Sequence, residues 1–562
     1  MFDHKTSLPE RPIEDACWSP EREAQLDREG EHSECALGVF VWNGADGVSY
    51  YHKAKKLQES QGAARGGGGS GLVMDAMTQD RALAVMKGAH ESSKALRVFG
   101  HGGNVDFSEA RRLHILQLHM QGHDLDHVLA GIRSTGAKPL YVERILTNPG
   151  ALSFRTYRGT YGDIPPRQIP ETFVRVFVDN PTPHPSVELE QQFNVNCPGP
   201  VLTSWSPIRE EYPGLLCFRL SGPRHEFDEL FRPELTDLTA RQFGLHDRYP
   251  TRQSKPGVEN SQPQVQGDIY GMHNGDAVSA YLMKQRLRDP HVHHYERLFF
   301  ERYGKQGVRP QKFEYRHIPS VDSAVVPRLY AYLSGCCKRH GIDPLVISFF
   351  EHPPSVSQIE VMPERERHFY TLARLAFFDF SYQGSAATIV GMRDTIRITP
   401  DRTRVVWAAR DYDGNTYVTS NGGAIMNACL PEEIAHIRPV SAGKVMDIDV
   451  RTGALVNRGL EFHIPRAENE APPSIFIPGA GFDATRLSEL QMDRAAPRPS
   501  KKPLPKKEEI KIPLRVSNAF GLYGFKEMDV NRLVEYGNTG SYQAIGLGNP
   551  EPDGVFGRAT SV

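Results

Sequence analysis

Cys35 is the residue of this chain best placed to act as a nucleophile. It opens the apolar run CALGVFVWNG, which is typical of a short buried strand that ends in a turn at Asn43-Gly44. When a cysteine is the first residue of a mature chain, its α-amino group, with an ordinary pKa of about 8, can accept the thiol proton. Residues 1–34 are polar and rich in Pro and Glu, so we interpret them as a leader whose removal exposes this amine. Taken alone, such a cysteine is more often a small buried hydrophobic residue.

Three later segments carry the other groups that a thiol nucleophile needs for amide chemistry. They are HDRYPTRQ (246–253), YGMHNGDAVSAYL (270–282) and SVDSAVVPRLYAYL (320–333). Taken singly, an arginine such as Arg248 is usually a surface charge, and Asn274-Gly275 is usually a turn. An aspartate such as Asp322 is usually a helix cap. Their order behind Cys35 is what makes them informative.

In that order, the four segments resemble the class II glutamine amidotransferase family. The family pattern is a mature N-terminal Cys, a G-H-x-R-[YW]-x-T segment, an H-N-G segment and a D-S-[EA] segment that opens a helix. This resemblance implies that the chain hydrolyses L-glutamine to glutamate and ammonia through a γ-glutamyl thioester on Cys35. It also implies the four-layer αββα sandwich of N-terminal-nucleophile (Ntn) hydrolases.

The resemblance implies a role for each matching residue. Arg248 would bind the α-carboxylate of glutamine, because a guanidinium fork fits a carboxylate with two hydrogen bonds, and Thr251 would add a hydroxyl there. The side-chain amide of Asn274 and the backbone N–H of Gly275 would form the oxyanion hole. Asp322 would bind the α-ammonium group.

Further stretches resemble the amidotransferase domain of glutamate synthases, including the separately encoded archaeal-type form. They are GAARGGGGSGLVM (62–74) and the ranges 363–394, 408–453 and 518–557. The synthase half of those enzymes is absent, so the resemblance implies a separate FMN- and iron–sulfur-containing synthase subunit as the partner. The segment that joins the two halves in the family would be the docking element.

The hydrophobic patterns predict an α+β fold, because strands and helices alternate without the rhythm of a doubly wound sheet. Helices are expected around 76–97, 107–121, 124–134, 276–289 and 321–340, and strands within 170–220 and 385–460. The predicted domain organisation is a leader (1–34), an amidotransferase domain (35–465) with an insertion around 95–220, a Pro- and charge-rich linker (466–512) and a C-terminal segment (513–562).

Composition argues against several other classes of function. The chain has 562 residues and a formal charge of −2, which favours neither nucleic acid nor an anionic membrane as a partner. It has no apolar run of about 20 residues and no secretory signal, so we expect a cytoplasmic protein. Its seven cysteines are scattered without a CxxC pair, which argues against a disulfide framework or a zinc ribbon.

No cofactor or metal site is expected in this chain. His119, His123 and His127 are spaced four apart, but Gly122 interrupts any helix there, so we interpret them as polar surface. The RGGGGSG run lacks the Lys-Ser/Thr of a phosphate-binding loop.

Two alternatives to a working glutaminase remain at this stage. The first is a non-catalytic subunit, with a structural or regulatory role, in which Cys35 is never exposed. The second is an Ntn amidohydrolase that acts on another amide.

Overall fold

The structure is a computed structural model in which part of the chain is described. The described residues are 35–59, 69–89, 91–99, 112–120, 122–151, 157–159, 162–164, 172–248, 257–275, 279–289, 291–308, 314–342, 359–360, 362–380, 386–400, 406–440 and 445–458. The leader, the linker and the C-terminal segment predicted above all lie outside these residues.

The described residues form a mixture of strands and α-helices, as an α+β fold requires. The strands are β1 (Ala36–Val41), β2 (Val48–Ser49), β3 (Gly69–Met77), β4 (Ala95–Val98), β5 (Leu113–His119), β6 (Lys138–Arg144), β7 (Tyr157–Gly159), β8 (Gly162–Ile164), β9 (Phe173–Asp179), β10 (Val201–Pro207), β11 (Gly214–Leu220), β12 (Thr239–Ala240), β13 (Gln242–Arg248), β14 (Gln264–Gln266), β15 (Ile269–Gly275), β16 (Ala386–Met392), β17 (Thr395–Thr399), β18 (Val406–Asp411), β19 (Thr416–Thr419), β20 (Ile434–Val440), β21 (Val445–Asp449) and β22 (Leu455–Arg458). The helices are α1 (Ala54–Glu59), α2 (Gln79–Lys87), α3 (Leu125–Ser134), α4 (Ser186–Asn196), α5 (Arg224–Leu235), α6 (Ala280–Arg288), α7 (His294–Tyr303), α8 (Val325–His340), α9 (Glu364–Phe377) and α10 (Gly422–Ala428).

The chain divides into two compact units. The first comprises Met1–Asp276, Tyr315–Ala331 and Ser385–Leu460, and the second comprises Ala277–Glu314, Tyr332–Gly384 and Glu461–Val562. The described candidate site residues Cys35, Arg248, Asn274, Gly275 and Asp322 all belong to the first unit.

The first unit contains a seven-stranded sheet in the order β11-β3-β13-β1-β19-β18-β20. Strand β1 lies near its centre and is antiparallel to both β13 and β19. All six residues of β1 are buried, because the two faces of the sheet are both covered. Alternate residues of β1 therefore enter different cores, as the two-residue period of a strand requires.

One face of this sheet packs on a second, six-stranded sheet in the order β14-β15-β16-β17-β21-β22. Leu37 and Val39 of β1 share a core with Tyr270 and Met272 of β15. The opposite face packs on helices α1, α2, α5 and α10, for example through Phe40. Near β15, the start of α8 covers Gly271, where a Cβ atom would lie 2.8 Å from a methyl group of Val326.

Most of the strands within the predicted insertion form a five-stranded sheet of their own, in the order β10-β5-β9-β6-β4, and this part of the first unit is called the insertion below. Four of its strands and two helices come in the chain order β5-α3-β6-β9-α4-β10, with the short hairpin β7-β8 between β6 and β9, and all neighbouring strands are antiparallel. This is the split βαβ arrangement of ferredoxin-like domains. Helices α3 and α4 cover one face of the sheet, around Trp205 and Phe193.

The second unit is helical in its described part. Helices α7 and α9 pack through a cluster of aromatic rings, in which Phe299 lies 5.3 Å from Phe369 and 5.1 Å from Phe377, measured between ring centroids. Beside it, the buried carboxylate of Glu296 pairs with Arg286 and accepts a hydrogen bond from the hydroxyl of Tyr332. No helix of the described residues is long and apolar enough to cross a membrane.

The α+β prediction is confirmed, and the helices expected at 124–134, 276–289 and 321–340 are present. The helix expected around 76–97 is only half right, because α2 ends at Lys87 and the strand β4 (Ala95–Val98) follows it. The helix expected at 107–121 is wrong, because 113–119 forms β5, in which Leu113 and Ile115 enter one core and Leu116 and Leu118 another. A strand covered on both faces is apolar throughout, so its pattern does not distinguish it from a buried helix. Similarly, the strand-like region 170–220 contains the helix α4.

Candidate active site

Cys35 and Arg248 lie beside each other at one end of the seven-stranded sheet. Ala36 pairs with Asp247 in the antiparallel ladder of β1 and β13, so the next residues of the two strands are Cys35 and Arg248. Cys35 is half-buried and is not part of a disulfide. The sheet therefore presents a thiol and a guanidinium at neighbouring positions.

Arg248 is 8% exposed and is held from one side by the backbone. Its Nη1 donates a hydrogen bond of 3.0 Å to the carbonyl oxygen of Asn260. Burial lowers the pKa of Arg248, and the negative charges of Asp322 and of a Cys35 thiolate raise it. Thus Cys35 and Asp322 are both near enough to act electrostatically on the Arg248 guanidinium.

Asn274 and Gly275 end β15, the strand of the facing sheet that packs against β1. Asn274 is 1% exposed, and neither Oδ1 nor Nδ2 of its amide has a hydrogen-bond partner among the described residues. Burying an amide without a partner costs roughly 1–3 kcal/mol, so this group calls for a partner that the described residues do not supply. Gly275 has a φ angle of +115°, which a residue with a side chain adopts only under strain.

The carboxylate of Asp322 is oriented by the residue that precedes Asn274. Nε2 of His273 lies 3.0 Å from Oδ2 of Asp322, and because a carboxylate only accepts, this nitrogen carries the proton. The other oxygen, Oδ1, accepts the backbone N–H of Ser323 at 2.9 Å. The side chain of Asp322 remains 29% exposed, so it can also reach a ligand.

A buried histidine ties the two sheets together at this end. Nε2 of His246, two residues before Arg248, donates to the carbonyl oxygen of His273 at 3.1 Å. Burial, together with the nearby His273, lowers the pKa of His246 to about 3. His246 is therefore neutral at physiological pH, and it fixes β13 against β15 without adding charge to the site.

Asn260 connects Arg248 with the segment that carries Asp322. Its carbonyl oxygen accepts from Arg248, and its side-chain Oδ1 accepts from the hydroxyl of Ser320 at 2.8 Å and from the N–H of Val321 at 3.2 Å. Asn260 therefore fixes the position of Arg248 relative to the segment that carries Asp322.

Helix α4 of the insertion holds the same segment from its other side. The amide of Gln191 donates to the carbonyl of His317 at 3.0 Å and accepts the N–H of His317 at 2.8 Å. Glu190, buried beside it, pairs with Arg328 at 3.4 Å, and Arg328 in turn donates to the carbonyl of Ala324 at 2.8 Å. Burial raises the pKa of Glu190 to about 7, against the opposing charge of Arg328.

The structure thus brings Cys35, Arg248 and Asp322 together and places Asn274 and Gly275 at the end of the neighbouring strand. Thr251 lies outside the described residues. Sequence reasoning missed His246, Asn260 and His273 as supporting residues. His246 and His273 belong to the motifs quoted above and could have been identified from them, whereas no sequence pattern marks Asn260.

The described side chains were compared with the arrangements that bind metal ions. No group of three or more His, Cys, Asp or Glu residues among them is arranged to hold a metal ion. His119 lies in β5 and stacks on Phe173, His123 lies in a turn, and His127 lies in α3. The three histidines therefore do not share one helical face.

Comparison with known proteins returns similar solved structures. Glutamine phosphoribosylpyrophosphate amidotransferase from B. subtilis, complexed with ADP and GMP, matches at 17% identity and a TM-score of 0.25, over 44% of this chain and 41% of that one. The allosteric regulatory enzyme of purine biosynthesis matches at 13% identity and a TM-score of 0.27, over 70% and 50%. A glutamine aminotransferase class-II domain protein from Silicibacter pomeroyi matches at 11% identity and a TM-score of 0.23, over 44% and 86%.

The chain spans less than half the length of the first of these structures and half of the second. No protein-family model and no curated protein sequence matches it. Similarities at this low identity and TM-score do not show which substrate or partner this chain has.

Proposed function

We propose that this chain is a class II glutamine amidotransferase that hydrolyses L-glutamine at Cys35 once residues 1–34 have been removed. The observation that carries the proposal is a thiol beside a buried cation that also interacts with a carboxylate: Cys35 and Arg248 follow the paired residues Ala36 and Asp247, and the charge of Asp322 acts on the same Arg248 guanidinium. A cation and an anion at one site match the α-carboxylate and α-ammonium groups of a free amino acid. The buried, unpartnered amide of Asn274 supplies the donor that an amide hydrolase needs for an oxyanion.

The reaction then proceeds in two steps. The α-amino group of Cys35 accepts the thiol proton while Sγ forms a bond to the γ-carbonyl carbon of glutamine. The carbon–nitrogen bond breaks, and the departing amine takes the proton and leaves as ammonia. Water then adds to the thioester, which releases glutamate and restores the thiol. In both steps the negative oxygen faces the amide of Asn274 and the N–H of Gly275.

The proposed fold is the four-layer αββα sandwich of Ntn hydrolases. It is supported by two sheets packed face to face, by helices α1, α2, α5 and α10 on the outer face of the larger sheet, and by the start of α8 over β15. The split βαβ insertion is an addition to this sandwich.

The proposed use of the ammonia is synthesis by a separate subunit. The sequence resemblance to glutamate synthases supports a partner with FMN and an iron–sulfur centre, which this chain would supply with ammonia. Residues 513–562 are the proposed docking element for that subunit.

A panel of glutamine analogues tests the proposed substrate. A chain that begins at Cys35 is expected to hydrolyse glutamine at least about tenfold better, in kcat/KM, than glutaramate, which lacks the α-ammonium, or 4-aminobutanamide, which lacks the carboxylate. Equal hydrolysis of all three compounds would assign the chain to a hydrolase of another amide. Hydrolysis of none of them would leave a non-catalytic subunit.

A variant in the insertion tests whether helix α4 positions the Asp322 segment. Gln191→Ala removes two hydrogen bonds to His317, each worth about 1 kcal/mol, so we expect the KM for glutamine to rise roughly fivefold at nearly constant kcat. Asn196→Ala is the matched control and should leave KM unchanged, because Asn196 lies on the same helix and its side-chain amide donates to Ser134, away from the Asp322 segment. A lower melting temperature with an unchanged KM would contradict a positioning role for Gln191.

A further inference from the structure

A charged cavity lies between the insertion and the main body of the first unit. Its volume is about 170 Å³. It is bounded by helix α2, by the loop before β4, by β6 and β9 of the inserted sheet, and by the end of α5. The polar side chains that line it are Arg81, Ser92, Lys94, Glu143, Arg175 and Glu234.

Arg175 interrupts a face that is otherwise apolar. Along β9, Phe173 and Phe177 point into the core beneath α2 and α5, and Arg175 stands between them with 3% of its side chain exposed. Glu143 is its direct cross-strand neighbour on β6. An arginine at such a position is costly to bury, so its charge needs partners.

The carboxylates of the cavity are already engaged. Glu143 pairs with Nη1 of Arg175. Oε1 of Glu234 accepts from Nη2 of Arg175 at 3.0 Å, and its Oε2 accepts from Nζ of Lys94 at 3.0 Å and from the N–H of Leu146 at 3.1 Å. The acceptors that face the cavity are therefore largely occupied.

Hydrogen-bond donors, in contrast, remain in excess. Arg81 is half-buried and, within the part of the chain that is described, donates only to the carbonyl of Asp237, with no carboxylate in salt-bridge range. Three cations thus face two carboxylates. Burial, reinforced by the charge of Arg175, lowers the pKa of Arg81.

We infer that this cavity binds a small oxyanion, a carboxylate or a phosphate, on the guanidinium of Arg81 and the spare donors of Lys94. Guanidinium forks match the geometry of both groups. A cavity of about 150 Å³ takes a ligand the size of benzene, so the ligand has on the order of six non-hydrogen atoms. This site is separate from the proposed glutamine site and does not depend on it.

Anion binding to the purified full-length chain tests the inference without any assay of activity. Sodium phosphate and sodium acetate are titrated by calorimetry and by thermal unfolding, against sodium chloride at equal ionic strength. We expect saturable binding and a rise in Tm for one of the two. Phosphate as the ligand indicates a phosphoryl compound, and acetate indicates a carboxylate.

Arg81→Gln should weaken that binding by about tenfold or more, because it removes a charge-assisted donor pair. Arg232→Gln is the matched control, since Arg232 lies on α5, pairs with Glu229 at the surface and does not line the cavity. The absence of a specific effect of either anion, or an equal affinity in wild type and Arg81→Gln, would overturn the site. A purely structural ion-pair network predicts that absence.

Discussion

Replacing Asn274 by Ala should lower kcat for glutamine hydrolysis by about 100- to 1000-fold and leave stability equal or slightly improved. The loss of rate follows from removing one oxyanion donor. The effect on stability follows from the amide itself, which is buried without a partner, so its removal relieves a desolvation cost instead of breaking a hydrogen bond. Initial rates and urea unfolding of the same preparations measure both quantities.

Asn415→Ala is the matched control for this prediction. Asn415 is also buried, but its Nδ2 donates to Asp411 at 2.8 Å and its Oδ1 accepts the N–H of Asn43 at 3.0 Å. We expect a loss of roughly 1–3 kcal/mol in the free energy of unfolding and an unchanged kcat. A large loss of stability in Asn274→Ala, with kcat intact, would remove Asn274 from the proposed oxyanion hole.

Replacing Arg248 by Gln should raise the KM for glutamine by about 10- to 100-fold. The substitution removes a charge-assisted interaction with the substrate carboxylate, worth about 1.5–3 kcal/mol, while a glutamine side chain still offers Asn260 a donor. Because the same contact serves the ground state and the transition state, kcat should change little. Steady-state kinetics separate the two parameters.

A substrate analogue separates a loss of carboxylate binding in Arg248→Gln from a general loss of activity. 4-Aminobutanamide has no carboxylate, so wild type and Arg248→Gln should hydrolyse it with similar kcat/KM. Arg410→Gln, in which the replaced arginine donates to the carbonyls of Gly414 and Thr452, is the control for a change of charge. If Arg248→Gln lost activity equally on glutamine and on the analogue, the arginine would not be the carboxylate ligand.

The sequence predicted the strands and motifs that carry the candidate site residues better than it predicted which strands pair with one another. The apolar run after Cys35 predicts β1, and the motifs around Arg248, Asn274 and Asp322 mark the positions that the fold then gathers. Which strands become neighbours depends on pairing over long sequence separations, such as Ala36 with Asp247, and no local pattern encodes it.

In the insertion, neither the strand topology nor the contacts to the rest of the first unit could be predicted from the sequence. An insertion around 95–220 stays a prediction, and the split βαβ topology found there was not foreseen, because β5 is covered on both faces and its apolar pattern resembles that of a buried helix. The bonds of Gln191 to His317 and of Glu190 to Arg328 join segments more than a hundred residues apart. Such contacts exist only once tertiary packing has formed, so a single sequence cannot reveal them.

The intact mass of the purified protein, with and without a covalent glutamine-mimicking label, shows whether Cys35 is the processed N-terminal nucleophile. We expect a chain that begins at Cys35, with one label that is absent in Cys35→Ser and retained in Cys429→Ser, whose thiol is buried elsewhere in the first unit. A full-length mass without label, or a label that survives Cys35→Ser, would contradict Cys35 as the nucleophile.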